Sequence, residues 1–495
     1  MTPPRSPSAR TCASDTAASD TASTCSSCAS GGDNVRVVAH VRPLLAKELD
    51  EGCGVALAVE RAAATQAPLQ GSIAADPCDS NATAAAPRGA TISVPGLQHE
   101  NTFTFDDVLQ IGENGSAASL GDDLYATHVS PLVAGMFRGI HATVFAYGQT
   151  GSGKSFTMGT DAAVRQEAQA EVHGGWVPIC DRVFEDMERR MKQLEAAGVR
   201  VSVSCSFFEV YQDHIRDLLA GASASGQRLH KRAWGQREQA SRPGAPGTRE
   251  VVLRDPDPTQ EVQLVGMEEV RVGGAADMAA CLADGVRRRA TAATAANASS
   301  SRSHALLMLQ VQIDGGGGAA APAAGAAAGA GTPMALPAAG QSLSAKLYLV
   351  DLAGSERVRR SHAAGTALSE SCAINAGLLA LGNVIEALIS GRKHVPYRDN
   401  VLTRILRHAL GGSARTLMLA CLSPADVDAP ESLNTLRRAA RTRLVRNRPA
   451  QRAARDTASQ LAASRAECAA LATQLWAANA ALGAMRTEQQ QQQQQ

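Results

Sequence analysis

Ala142-Thr-Val-Phe-Ala-Tyr147 runs directly into Gly148-Gln-Thr-Gly-Ser-Gly-Lys154-Ser155, and then into Phe156-Thr-Met158. The first segment is an apolar run of strand length. The second fits the phosphate-binding pattern G-x-x-x-x-G-K-[ST], and the third can begin a helix or turn. That order of strand, loop and helix is the context in which the pattern cradles phosphate. Gly148, Gly151 and Gly153 let the N–H groups of the loop, with Gln149, Thr150 and Ser152 between them, converge on an anion. A helix N-terminus adds a favourable dipole. Lys154 is expected at the β/γ oxygens of a nucleotide, and the Ser155 hydroxyl on Mg²⁺.

A second apolar run, Leu347-Tyr-Leu-Val350, ends at Asp351. That carboxylate then falls at the carboxyl end of a strand beside the loop, where it would hold Mg²⁺ through water. In Asp351-Leu-Ala-Gly354-Ser-Glu356, Gly354 has no Cβ, so its N–H can approach a terminal phosphate and flip when that phosphate leaves. Alone this segment would be an ordinary turn. Between the two lies Asn297-Ala-Ser-Ser-Ser-Arg302-Ser-His304. A loop that cradles phosphate, one that closes over it and one that feels its loss make a nucleotide-driven switch.

The string Asn-x-x-Ser-Ser-Arg-Ser-His resembles switch I of the kinesin motor family, and Asp351 to Glu356 resembles its switch II. Further segments fall in kinesin order: Phe103 to Val108, Phe208 to Tyr211, Ile215 to Leu219, Leu381 to Ile385, His394 to Asp399 and Asn434 to Arg437. The resemblance covers roughly residues 34 to 449. Gln263 to Gly266, Cys281-Leu282 and Arg446 to Pro449 look most like the chromokinesin class. The resemblance implies an α/β P-loop NTPase head, its central and mostly parallel twisted sheet flanked by helices. It also implies ATP and Mg²⁺ as ligands and microtubules as the partner.

Residue by residue, it implies that Ser300 and Ser301 meet the γ-phosphate, the Mg²⁺ and the attacking water. Arg302 and Glu356 would form the salt bridge that closes the site. Asn297 and Asn375 would relay the switches to the following helix. His40, Arg42 and Pro43 would stand beside the adenine, where kinesins usually carry R-x-R-P; a histidine there is still planar and can stack. Arg357, Arg360, Arg398 and Arg404 would face tubulin. Kinesins commonly place lysines where this chain has His214, Cys372, Ala376 and Val401. The family's Thr-Gly-Ala-Glu-Gly reads here Ser361-His-Ala-Ala-Gly365, without the carboxylate. Those departures keep a second reading open, a microtubule-binding scaffold with a slow or impaired ATPase cycle. No Asn-Lys dipeptide exists for a guanine-reading motif.

At 495 residues the length alone suggests about three domains. The motif order instead demands one large head enlarged by insertions. A net charge of +1 predicts no general polyanion partner, and nothing in the chain points to nucleic acid or chromatin. Cysteines number 11, scattered, and only Cys25-Ser-Ser-Cys28 has metal-like spacing, without a second pair. A reducing cytoplasm, on the microtubule cytoskeleton, is the natural setting. No uninterrupted apolar span long enough for a membrane appears, and Asp15, Asp20 and Asp33 argue against a transit peptide.

Residues 1–33 are Ser/Thr/Ala-rich and predict disorder. The head is expected over 34–439, beginning with a strand at Val35 to Val41, with insertions at about 60–92, 220–249 and 315–340. The last joins Leu307 to Ile313 and Leu347 to Val350 as a long hairpin tip. Residues 440–449 resemble a neck linker, with Asn447 as its latch. Gly31-Gly-Asp-Asn34, expected opposite, are poor strand formers. Ile215 to Leu219 is read as a helix. The insertion after it carries Arg228, Lys231, Arg232, Arg237, Arg242 and Arg249, either a basic arm toward the acidic tubulin tail or a solvated loop. Leu461, Cys468, Leu475 and Leu482 recur every seven residues, so 450–488 predicts a short helix or weak coiled coil. With Ser464 and Ala478 in the seam, a homodimer through 461–485 would be weak. Polyglutamine fills 489–495.

Overall fold

The computed structural model describes residues 33–61, 90–95, 101–110, 117–161, 176–220, 251–255, 262–295, 302–314, 342–356 and 366–452. The predicted disordered start, most of each insertion with its basic arm, Cys25 and Cys28, Asn297, Ser300, Ser301, Arg357, Arg360, the altered loop 361–365 and the heptad segment lie outside the described residues.

Nine strands build the central sheet: β1 (Arg36–Val41), β2 (Asp107–Gln110), β3 (Ala142–Tyr147), β4 (Arg200–Tyr211), β5 (His214–Asp217), β6 (Val270–Val272), β7 (His304–Asp314), β8 (Ser342–Asp351) and β9 (Arg415–Leu422). Their spatial order is β6-β4-β7-β8-β3-β9-β1-β2, with β5 on β4. The pairs β8–β3, β3–β9, β9–β1 and β1–β2 are parallel. The pairs β6–β4, β4–β7 and β7–β8 are antiparallel. The sheet is thus mixed, parallel along four of these seven pairings and throughout the half that carries the P-loop.

Both faces are covered, so the strands read as nearly continuous apolar runs. The period of two still sorts them. Val144 and Ala146 of β3 join Leu307, Leu347 and Leu417 in one core, while Phe145 and Tyr147 join Leu306, Val350 and Met418 in the other. The helices are α1 (Ala46–Asp50), α2 (Ala117–Leu124), α3 (Ser130–Met136), α4 (Lys154–Met158), α5 (Ile179–Ala196), α6 (Ala275–Ala295), α7 (Thr366–Ile389), α8 (Val401–Ile405) and α9 (Ala429–Thr442). Helices α2, α3, α5 and α6 pack on the first face, and α7, α8 and α9 on the second. Val183, Phe184, Met187 and Met191 form the buried stripe of α5 that their spacing predicts. β7 and β8 pair in antiparallel register from Ala305↔Asp351 to Asp314↔Ser342, so the Gly/Ala-rich insertion does join two hairpin strands.

Two expectations are corrected. The segment read as a helix at 215–219 begins as strand β5, because Gln212 and Asp213 both take positive φ, 49° and 62°. Such a two-residue turn matches the strand twist and folds Tyr211 back onto His214. Asp33-Asn34 does form a strand in spite of its composition, pairing antiparallel with Arg446-Asn447. Tertiary docking overrides local propensity there.

Candidate nucleotide and switch site

Strands β1, β3, β8 and β9 end at one edge of the sheet and β7 begins there, which gathers the distant motifs. Gly148 must be glycine, since a Cβ would stand 2.2 Å from the Cys421 carbonyl oxygen at the end of β9. The loop beyond it buries Gln149, Ser152 and Lys154 and exposes Thr150 and Gly151. Ser152 Oγ donates to the Gln149 carbonyl (2.8 Å), bracing the turn. Lys154 Nζ donates to the carbonyls of Gly148 (2.8 Å) and Gln149 (2.7 Å). Burial lowers its pKa, and the Asp351 carboxylate works in the opposite direction.

Asp351 ends β8 opposite Ala146 of β3, one residue short of Tyr147 and the loop. Its Oδ2 accepts hydrogen bonds from Ser155 Oγ and Thr160 Oγ1, both at 2.6 Å. Its Oδ1 is buried without a hydrogen-bond partner. A free carboxylate oxygen beside a hydroxyl and a phosphate loop fits Mg²⁺, a hard cation that takes one or two protein oxygens plus phosphate and water. Among the described residues no cluster of three or more His, Cys, Asp or Glu forms a self-sufficient metal site.

Behind Asp351 lies a buried charge network that sequence reasoning missed. Arg289 of α6 donates from Nε to Ser303 Oγ (3.2 Å) and from Nη2 to the Ser303 carbonyl (2.8 Å). Its Nη1 lies 3.8 Å from Asp351 Oδ2. Ser303 Oγ donates to Glu209 Oε2 (3.1 Å), and Arg216 Nη1 to Glu209 Oε1 (3.0 Å). Glu209 is a charge inside an apolar strand, which was a usable signal. Arg289 sits in the run Arg287 to Arg289, and nothing in the sequence separates it from a solvated helix face.

His304, the first residue of β7, accepts the Ala353 N–H at Nδ1 (3.0 Å) and so ties the end of switch I to switch II. Burial, then Arg289 and Lys154, pushes its pKa down to about 3, so the ring is neutral. Arg302 stands half-buried just before it. The Glu356 carboxylate, however, is engaged by Thr150, with Oε2 accepting from its N–H (2.8 Å) and Oε1 from its hydroxyl (2.6 Å). In this conformation the anticipated Arg302–Glu356 salt bridge is replaced by a contact to the P-loop. Asn375 is half-buried on α7.

Of the residues expected beside the adenine, His40 and Arg42 are buried. His40 is 3% exposed, stacked on Trp176 at 5.2 Å and 12°. Its Nδ1 lies 3.0 Å from Thr157 Oγ1, which itself donates to the Gly153 carbonyl, so His40 is the donor. Burial lowers its pKa to about 4. Trp176 takes the stacking face a base would need. Arg42 braces the loop: Nε donates to the Gly151 carbonyl (2.7 Å), Nη1 and Nη2 to Glu48 (2.7 and 2.5 Å), and Nη2 to Ser423 Oγ (2.9 Å). Of the three R-x-R-P positions, Pro43 alone is exposed.

Of the arginines expected to face tubulin, Arg398 is exposed. Arg404 is held by Asp255 Oδ2 at 2.9 and 3.2 Å. The chain beyond α9 docks on the loop that leads into β9. Val445 is buried, and Asn447 Oδ1 accepts the Gly411 N–H (2.8 Å). Asn447 Nδ2 donates to the carbonyls of Ala409 (2.9 Å) and Ala414 (2.8 Å). Further along, the Arg452 N–H donates to the Gly139 carbonyl (2.9 Å).

Strand, phosphate loop and Asp351 meet at one end of the sheet, beside Arg302 to His304 and Gly354 to Glu356, in the arrangement of a P-loop head. The kinesin motor domain model matches residues 40–445, and the chain belongs to that family. It is 35% identical over 423 residues to "Kinesin-like protein KIN-4A" of Arabidopsis thaliana, covering 84% of this chain and 35% of that protein. It is 33% identical over 426 residues to "Chromosome-associated kinesin KIF4" of Mus musculus, covering 84% of this chain and 27% of that protein. A chromosome-associated kinesin among these relatives is consistent with the chromokinesin class that the sequence resembles. The chain spans about a quarter to a third of the length of these curated relatives. Among solved structures it is similar to a fast kinesin (TM-score 0.61, 28% identity, 86% of this chain and 95% of that one). It is also similar to a KIF14 dimer with AMP-PNP in complex with a microtubule (TM-score 0.60, 27% identity, 85% and 96%).

Proposed function

We propose that this chain is an ATP-hydrolysing, microtubule-stimulated motor head that moves toward the plus end. The observation that carries this reading is the seating of Asn447 on the loop that leads into β9, a strand of the sheet that also carries the P-loop. A linker held by Gly411, Ala409 and Ala414 is positioned to follow whatever the nucleotide does to that sheet. Lys154 and the loop N–H groups would hold the phosphates, with Ser155 and Asp351 holding Mg²⁺. The metal would neutralise charge on the β/γ oxygens when bound. Arg302, with Ser300 and Ser301, would close over the terminal phosphate and place the attacking water. The Arg289–Ser303–Glu209 network supports this by tying the end of switch I to Asp351. Arg398 and Arg404 would face acidic tubulin, with Arg404 partly committed to Asp255. A relative solved on a microtubule supports tubulin as partner and the cytoskeleton as location. A weak dimer through 461–485 belongs to the same proposal.

Gliding assays on polarity-marked microtubules test this directly. Plus-end motion is expected, and minus-end motion would contradict the linker's assigned role. Asn447→Ala removes a buried side chain and strands its backbone partners, a cost of about 1–3 kcal/mol to the docked state. Gliding should slow severalfold in that variant while ATP affinity stays unchanged. Unchanged gliding would show that the latch carries no part of the stroke.

A further inference from the structure

We propose that Thr150 holds the Glu356 carboxylate and the terminal phosphate of a nucleoside triphosphate in alternation, so that the arriving phosphate releases Glu356 from the P-loop. This rests on the nucleotide-driven reading above and adds a positioning role for Thr150 in it. The contact is two-pronged: both carboxylate oxygens are used, one on a backbone N–H and one on a hydroxyl. A carboxylate is the nearest side-chain analogue of a phosphate edge, and charge-assisted bonds of this kind are the strong ones. Thr150 is exposed at the rim of a loop whose N–H groups are arranged for an anion. Glu356 thus occupies donors of the kind a phosphate oxygen would need.

Two features around it indicate a built contact. The Ser355 N–H donates to the Gly148 carbonyl (3.1 Å), a second tie between switch II and the loop. Gly354 makes the approach possible, for a Cβ there would stand 2.3 Å from both Thr150 Oγ1 and Glu356 Oε2. Two anions cannot share one N–H and one hydroxyl, because their charges would repel at contact distance. Once displaced, Glu356 would be free to reach Arg302, which stands half-buried at the head of β7. The carboxylate would then exchange one cationic or donor partner for another, and the exchange would report the presence of the terminal phosphate.

Equilibrium titration of ADP and of AMP-PNP against wild type, Glu356→Ala, Thr150→Val and the double variant tests the exchange. In Glu356→Ala the affinity for AMP-PNP should rise about tenfold while that for ADP changes less than about twofold, since only the triphosphate competes. In the Thr150→Val background the same Glu356→Ala change should gain markedly less, because half of the hold on Glu356 is already gone. An equal gain in both backgrounds would mean simple removal of negative charge and would overturn the exchange. Thermal unfolding followed by circular dichroism checks that each variant is folded, and Glu356→Gln provides an isosteric replacement should the alanine variant fail it. If the wild type binds both nucleotides but their affinity ratio does not move in Glu356→Ala, the exchange alone is wrong. If the wild type binds neither, the nucleotide-driven reading falls with it.

Discussion

Glu356→Ala is expected to bind ATP and microtubules and yet turn over about 10²–10³-fold more slowly than wild type, the usual scale for losing one preorganised polar group at a reacting centre. Phosphoryl transfer leaves the protein little covalent work, so rate is lost wherever positioning and charge placement are lost. Glu356 has no covalent task in this account. Its carboxylate is held on the P-loop by Thr150, and the family resemblance pairs it with Arg302. Removing it leaves the phosphate loop, Lys154 and Asp351 intact, which is why binding should survive. Single-turnover phosphate release, beside microtubule co-sedimentation in AMP-PNP, separates the two. Near-normal release would remove Glu356 from the hydrolytic step.

Lys154→Ala fails earlier in the cycle. Its ammonium is buried with Gly148 and Gln149 carbonyls as acceptors, and burial already lowers its pKa. An oxyanion in reach would give that charge its strongest partner. Deleting one member of a buried, hydrogen-bonded charge pair costs about 3–5 kcal/mol, so nucleotide affinity should fall on the order of 10²–10⁴-fold. Titration with a fluorescent ADP analogue reads this without any contribution from hydrolysis. Affinity within a few-fold of wild type would show that Lys154 is a structural lysine bracing its own loop.

Much of this site was legible because its parts are short and their chemistry is local. The P-loop string fixed strand, loop and helix, and Asp351 followed from an apolar run ending beside it. The remainder depended on contacts between distant segments. His40 is buried against Trp176, more than a hundred residues later, which offers it a stacking face. The Glu209–Ser303–Arg289 network joins three distant segments, and only Glu209, a charge inside an apolar strand, stands out in its own neighbourhood. Asp33-Asn34 became a strand only because Arg446-Asn447 returned to pair with it. The β5 turn was a local feature read wrongly, since Gln212-Asp213 lacks the glycine that usually marks positive φ.

The central claim is that nucleotide chemistry in this head is coupled to the filament. Steady-state ATP hydrolysis with increasing concentrations of stabilised microtubules measures that coupling. Turnover should be slow alone and should rise to saturation with polymer, and Lys154→Ala should abolish the rise. Turnover that stays flat while the protein co-sediments tightly with microtubules would contradict the motor reading and favour a scaffold built on a kinesin head.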